Sequence, residues 1–110
     1  MYLKIDKVKK IIMKPYVTIY DAIKNLSDSG LRIVLVEDDK KKFIGVLNDG
    51  DIRRAFLRGS GLNSSIHNII NKKAIYVNSK LINEAKTRKY IQKFNEPIPV
   101  IKDKKIFGLI

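Results

Sequence analysis

The sequence predicts an α/β (α+β) fold assembled from two small copies of one unit, and three observations carry the prediction. Residues 9–47 and 72–110 run alongside each other at an offset of 63: Lys9-Lys10-Ile11-Ile12 matches Lys72-Lys73-Ala74-Ile75, Asp21-Ala22 matches Glu84-Ala85, and Ile44-Gly45 matches Phe107-Gly108. Within each copy, short β-branched apolar runs alternate with stretches whose apolar residues recur at helical spacing. Glycine, proline and charged turns separate those runs. Neither unit is long enough to bury its own apolar face, so the two must pack together, and their junction is a natural place for a ligand.

The elements follow in order. Residues 11–13 form a short apolar strand that Pro15 stops. Tyr20 to Asp28 place Ala22, Ile23 and Leu26 on one helical face, and Ser29-Gly30 closes that helix. Arg32 to Val36 is almost wholly apolar and reads as a buried strand, followed by a charged turn at Glu37 to Lys42. Phe43 to Leu47 is the next strand, and Asn48-Asp49-Gly50 opens a helix over about 51–57 that Gly59 ends. Ser60 to Asn63 is a polar linker and residues 64–70 a short helix. The pattern then restarts: a strand at 75–77, a helix over 82–94, and strands at 98–101 and 106–110. Strand, helix, strand, strand, helix appears once in full and once without its last helix.

A length of 110 residues allows one compact domain built of two halves, and 45% hydrophobic with 31% charged residues is the composition of a chain that folds. Zero cysteines exclude disulfides, thiolate metal sites and cysteine nucleophiles, and with no signal-peptide pattern they fit a cytoplasmic protein. No apolar run approaches the roughly 18 residues of a membrane span. The formal charge of +12 comes mostly from lysine, in runs at Lys7 to Lys10, Lys40-Lys41-Lys42 and Lys102 to Lys105. These read as solvated turns rather than a nucleic-acid face, which concentrates arginine and aromatic residues.

Phe43-Ile44-Gly45-Val46-Leu47-Asn48-Asp49-Gly50-Asp51-Ile52-Arg53-Arg54, with Leu57-Arg58-Gly59 and Ser65 to Ile70 after it, resembles a cystathionine-β-synthase-type (CBS) domain pair, or Bateman module. Pro97-Ile98-Pro99-Val100-Ile101 and Ile106 to Ile110 continue the likeness. It divides the chain into a first repeat with the N-terminal segment, 1–62, and a second, 63–110, each a small three-stranded sheet with helices. The Asp-Gly-Asp-Ile-Arg-Arg wording is most like modules attached to sugar-phosphate nucleotidyltransferases and isomerases.

The resemblance implies a regulatory module that senses AMP, ADP or ATP, works as a disc-shaped homodimer, needs no metal and acts on an attached or partner sugar-nucleotide enzyme. It implies that Asp51 accepts both ribose hydroxyls, as an acceptor-only carboxylate can. Asn48 stands where the family has a hydroxyl residue. Arg53 and Arg54 are placed to clamp phosphate oxygens beside a helix N-terminus, and adenine would lie on the strand pair near Ile12, Met13, Ile33 and Val34. A full pair continues for another helix beyond the position of Ile110, so the resemblance also implies a longer polypeptide.

Plainer readings stand beside these. Asp51 can serve the helix dipole alone, worth about 0.3–1 kcal/mol, Asn48 or Asp49 can be an ordinary N-cap, and the arginines an exposed ion-pairing face. The module could then be a degenerate pair used only for dimerisation. His67 has no second metal ligand at useful spacing. Tyr76, Tyr90, Phe94 and Phe107 suit packing better than base stacking. No Gly-rich phosphate loop, hydrolase triad or carboxylate pair points to catalysis.

Overall fold

The structure, a computed structural model, describes residues 3–110. In chain order its elements are β1 (Leu3–Lys4), α1 (Ile5–Val8), a 3-10 turn (Lys9–Ile11), β2 (Ile12–Met13), α2 (Ile19–Ser29), β3 (Val34–Glu37), β4 (Phe43–Leu47) and α3 (Asp49–Leu57). After a 3-10 turn at Ile66–Asn68 come β5 (Val77–Asn78), a further 3-10 turn (Ser79–Leu81), α4 (Ala85–Ile91), β6 (Pro99–Lys102) and β7 (Lys105–Leu109). They form two small sheets, one ordered β2-β3-β4 and the other β1-β7-β6-β5.

In each sheet a short strand pairs in parallel with the first strand of an antiparallel hairpin, β2 with β3 and β5 with β6. The same strand pattern thus occurs in both sheets. Its spacing is not uniform. Val36 pairs with Gly45 and Met13, and in the second sheet Val100 pairs with Gly108 and Val77. The two glycines keep the offset of 63, whereas their partners on the other strands are one residue further apart; both hairpins carry a bulge at the equivalent place, and the difference lies in the turn, which is one residue shorter in the second hairpin.

The strand Arg32 to Val36 reads as continuously apolar because both of its faces are covered. Val34 and Val36 point into a core with Ile19, Ala22 and Leu26 of α2, Leu47 of β4, Ile52 and Ala55 of α3, and Ile66. Ile33 and Leu35 point the other way, with Val46, into a core shared with Val8 and Ile11 and with Ile101, Ile106 and Leu109 of the second sheet. Alternation along one strand thus welds the two units.

Local signals set the helix ends. The Thr18 hydroxyl accepts from Asp21 N–H at 3.2 Å while the Asp21 carboxylate accepts from Thr18 N–H at 3.0 Å, a capping box that starts α2. Gly30 ends it in the left-handed region, at φ 68°. The helix expected over 82–94 is shorter: after the 3-10 turn that Asn78 opens, Glu84 is extended at ψ 141°, and the helix runs only over Ala85–Ile91. What remains, α4, buries none of its residues, in keeping with its Lys86-Thr87-Arg88-Lys89 run.

β1 was not foreseen: it pairs antiparallel with β7, Leu3 opposite Leu109. The N-terminal segment, grouped in the sequence with the first repeat, is hydrogen-bonded to the second sheet.

Asp38 organises the β3–β4 turn. Its carboxylate accepts from the N–H groups of Lys40 and Lys42, both at 2.9 Å, and the Lys42 N–H bond above all holds its pKa below the ordinary carboxylate value. A lowered folded pKa stabilises above the unfolded value, and that contribution is lost as pH falls through the folded one. Asp38→Asn should therefore flatten the acid limb of a stability-versus-pH curve below about pH 4; an unchanged limb would show that the turn does not depend on the charge.

Candidate functional site

α3 starts on Asn48, whose backbone is extended at φ −128° and whose amide oxygen accepts from Asp51 N–H at 2.9 Å. Asp51 answers by accepting from Asn48 N–H at 3.0 Å with Oδ2. Its other oxygen accepts from Arg54 at 2.7 Å, one turn along the helix. Gly50 makes room for this arrangement: a Cβ there would lie 3.2 Å from the Arg54 guanidinium and 3.3 Å from Asn48 Oδ1. Asp51 is 11% exposed while Arg54 is 59% exposed, so the carboxylate is the anchor and the guanidinium reaches outward.

This helix start opens on a cavity of about 370 Å³ lined by Asn48, Asp49, Gly50, Arg53 and Arg54 on one side, Arg32 and Ile33 on a second, and Glu96 and Pro97 of the other unit on the third. A neighbouring cavity of about 220 Å³ shares Ile33, Asn48, Glu96 and Pro97 with it, and adds Val46, Asn71, Lys73, Ala74, Ile75, Phe94, Ile98 and Pro99. Together they make one cleft between the units, with Arg32, Arg53 and Arg54 beside Asp49 and Glu96 at the α3 end, and at the other a mixed wall in which Val46, Ala74, Ile75 and Ile98 stand beside Asn71 and Lys73. Helix N-termini carry N–H groups without intrahelical acceptors. Asn48 takes that of Asp51; Asp49 and Gly50 line the cavity.

Two further features shape the cleft. Arg32 adopts φ 64°, rare for a residue with a side chain, and donates across to the Asn95 carbonyl at 3.1 Å. Gly45 lets the chain between the units lie against β4: Val46 and Asn71 exchange backbone hydrogen bonds at 3.1 and 2.9 Å, and a Cβ on Gly45 would run into the Asn71 carbonyl and Ile70. That strap holds Lys73, Ala74 and Ile75 at the cleft wall.

The predicted residues separate into groups. Asn48, Arg53, Arg54 and Ile33 meet on the cleft. Asp51 is absent from its lining and stands behind, holding Asn48 and Arg54. Three expectations for the adenine wall need correction. Val34 is fully buried in the first core because it alternates with Ile33. Met13 packs against that same core. Ile12 lines a different cavity, with Lys14, Glu37 and Ile106. The apolar wall of the cleft comes instead from Val46, Ala74, Ile75 and Ile98. Only a cross-unit view identifies these, although Pro97-Ile98-Pro99 was already conspicuous in the sequence. Tyr76 and Tyr90 are 55% and 46% exposed, edge-on to Phe43 and Phe94 respectively, so they lie outside the cores.

Among the described residues no group of three or more His, Cys, Asp or Glu side chains could hold a metal ion, and no helix is long and apolar enough to cross a membrane.

The fold is that of CBS-domain proteins. The chain superposes on an acetoin-utilisation-type protein (AcuB) from Vibrio cholerae with TM-score 0.80 at 20% identity, covering 90% of this chain and 74% of that one. It superposes on CbpB in complex with c-di-AMP with TM-score 0.78 at 21% identity, covering 99% and 75%, and on CBSX2 in complex with AMP with TM-score 0.73 at 19% identity, covering 99% and 84%. At the level of sequence, residues 8–58 match the family model of the CBS domain. An uncharacterised protein of Helicobacter pylori is 34% identical over 55 residues, half of this chain but only 17% of that protein's length.

Proposed function

We propose that this chain is a regulatory, non-catalytic module that binds an adenine nucleotide in the cleft between its two units. The observation that carries the reading is the cleft's polarity: Arg53, Arg54 and the start of α3 at one end, Val46, Ala74, Ile75 and Ile98 at the other. Phosphate suits the first and a purine the second. The AMP complex of CBSX2 and the c-di-AMP complex of CbpB, both of this fold, support the choice of ligand. In this reading residues 1–62 and 63–110 are two CBS repeats, the ligand is AMP, ADP or ATP, and occupancy passes through the inter-unit core to a sugar-phosphate nucleotidyltransferase or isomerase in the cytoplasm, with the module as a homodimer.

Asp51 acts from behind the cleft, by holding Asn48 and Arg54 in place. Asp51→Ala is expected to cost about 1 kcal/mol of stability through the lost cap and to abolish the rise in melting temperature that AMP, ADP or ATP gives the parent chain. The reading fails if no adenine nucleotide stabilises the parent, or if Asp51→Ala responds as well as the parent does. A second reading, dimerisation without nucleotide, is favoured by the capping box and the Arg54 ion pair, which together already engage Asn48 and both Asp51 oxygens. It gains if the chain dimerises while ignoring all three nucleotides.

A further inference from the structure

The lysine runs are far apart in the sequence, yet the fold gathers all three at one end of the molecule, away from α3. The β3–β4 and β6–β7 turns lie against each other: Phe43 N–H donates to the Lys104 carbonyl at 2.8 Å, and Lys42 and Lys105 form an isolated antiparallel bridge. The 3-10 turn after α1 brings Lys9 to the same place. Between them lies a cavity of about 340 Å³, lined by Lys9, Lys14, Lys41 and Lys105 with Ile5, Ile12 and Ile106, and with Glu37 as its one acidic side chain.

That carboxylate is already engaged. Lys14 donates to Glu37 at 2.7 Å and to the Asp38 carbonyl at 2.9 Å, and the Glu37 hydrogen bond raises the Lys14 pKa above its ordinary value. Among the described residues no carboxylate forms an ion pair with Lys9, Lys41 or Lys105. Three ammonium groups from three separate elements thus surround an isoleucine floor with no ion pair to hold them, and the lining carries four lysines against one glutamate. The volume is within the roughly 300–1,000 Å³ of small-ligand sites.

We propose that this cavity is a second binding site, distinct from the cleft at α3, for a small phosphorylated molecule that also carries an apolar group. Ammonium groups bind phosphate as point charges and do not require the planar geometry of arginine. The isoleucines favour an ester or anhydride with an apolar portion over bare phosphate. A nucleic-acid strand is the less suitable occupant, because no aromatic ring lines the cavity to stack a base.

Phenyl phosphate and inorganic pyrophosphate, titrated into the full chain by calorimetry with amide-shift mapping, test the proposal. Phenyl phosphate is expected to bind more tightly than pyrophosphate and to shift Ile12 and Ile106. Lys41→Asn with Lys105→Gln should weaken phenyl phosphate at least about tenfold, a change of about 1.4 kcal/mol. Asparagine is chosen because Lys41 sits at φ 65°, which asparagine tolerates. Lys9→Gln, on another element, repeats the test if the double variant does not fold. A control of equal charge, Lys86→Gln with Lys89→Gln on α4, should bind as the parent does. The proposal is overturned if phenyl phosphate does not bind, if the cavity and control variants weaken it equally, if the shifts fall at Arg53 and Arg54 instead, or if single-stranded RNA alone binds at this end.

Discussion

Alanine at position 45 should lower the melting temperature by on the order of 10 °C, corresponding to about 1–3 kcal/mol. The added methyl collides with the Asn71 carbonyl, which is backbone, and with Ile70, so neither neighbour can yield by a rotamer change alone. Relief requires the strap to lift from β4, breaking the paired hydrogen bonds between Val46 and Asn71. Buried groups left unpaired add to the cost. Because the strap carries Lys73, Ala74 and Ile75 to the cleft wall, the substitution should also weaken any ligand held there. Equal melting curves for Gly45→Ala and the parent would contradict the close approach. A stable variant that nonetheless lost nucleotide binding would locate the strain in the strap alone.

Removing the guanidinium of Arg53 or Arg54 should weaken AMP by about 10- to 100-fold each, the equivalent of one charge-assisted hydrogen-bonded pair at about 1.5–3 kcal/mol. Folding should hardly change. The Arg54 side chain is 59% exposed, and its ion pair with Asp51 is of the surface kind, worth at most about 1 kcal/mol. Lysine at either position should recover only part of the affinity, since an ammonium cannot grip two phosphate oxygens as a fork does. Calorimetry on Arg53→Ala, Arg54→Ala and the two lysine variants decides the matter: undiminished affinity in both alanine variants would remove phosphate from the α3 end of the cleft.

The sequence announced those elements whose signal is local. Asn48-Asp49-Gly50 marked the start of α3, and the unbroken apolar run before Glu37 marked a strand covered on both sides; the structure has both. β1 escaped because its two residues gain their partners from Gly108 and Leu109, at the other end of the chain. The slip in the repeat escaped for a related reason: strand register is set across a ladder, which letters aligned along one line do not show. In the site, phosphate-side residues were legible since they share one helix start. The apolar wall was not, because Ala74, Ile75 and Ile98 belong to it only once the units are joined. Val34 could have been excluded in advance: neighbours on a strand face opposite ways, so Ile33 and Val34 could never both line one cleft.

The pairing of Leu3 with Leu109 has a mechanical side. Tension applied between those two residues would load the β1–β7 ladder by peeling, one rung after another, which is the weak direction for a pair of antiparallel strands. The core around α2 and α3 contains no residue of either strand, so force along that route would open the second sheet first and reach the first unit only through the shared core of Ile33, Leu35 and Val46. Seen this way the two halves, alike in topology, are a fuse and the circuit it protects.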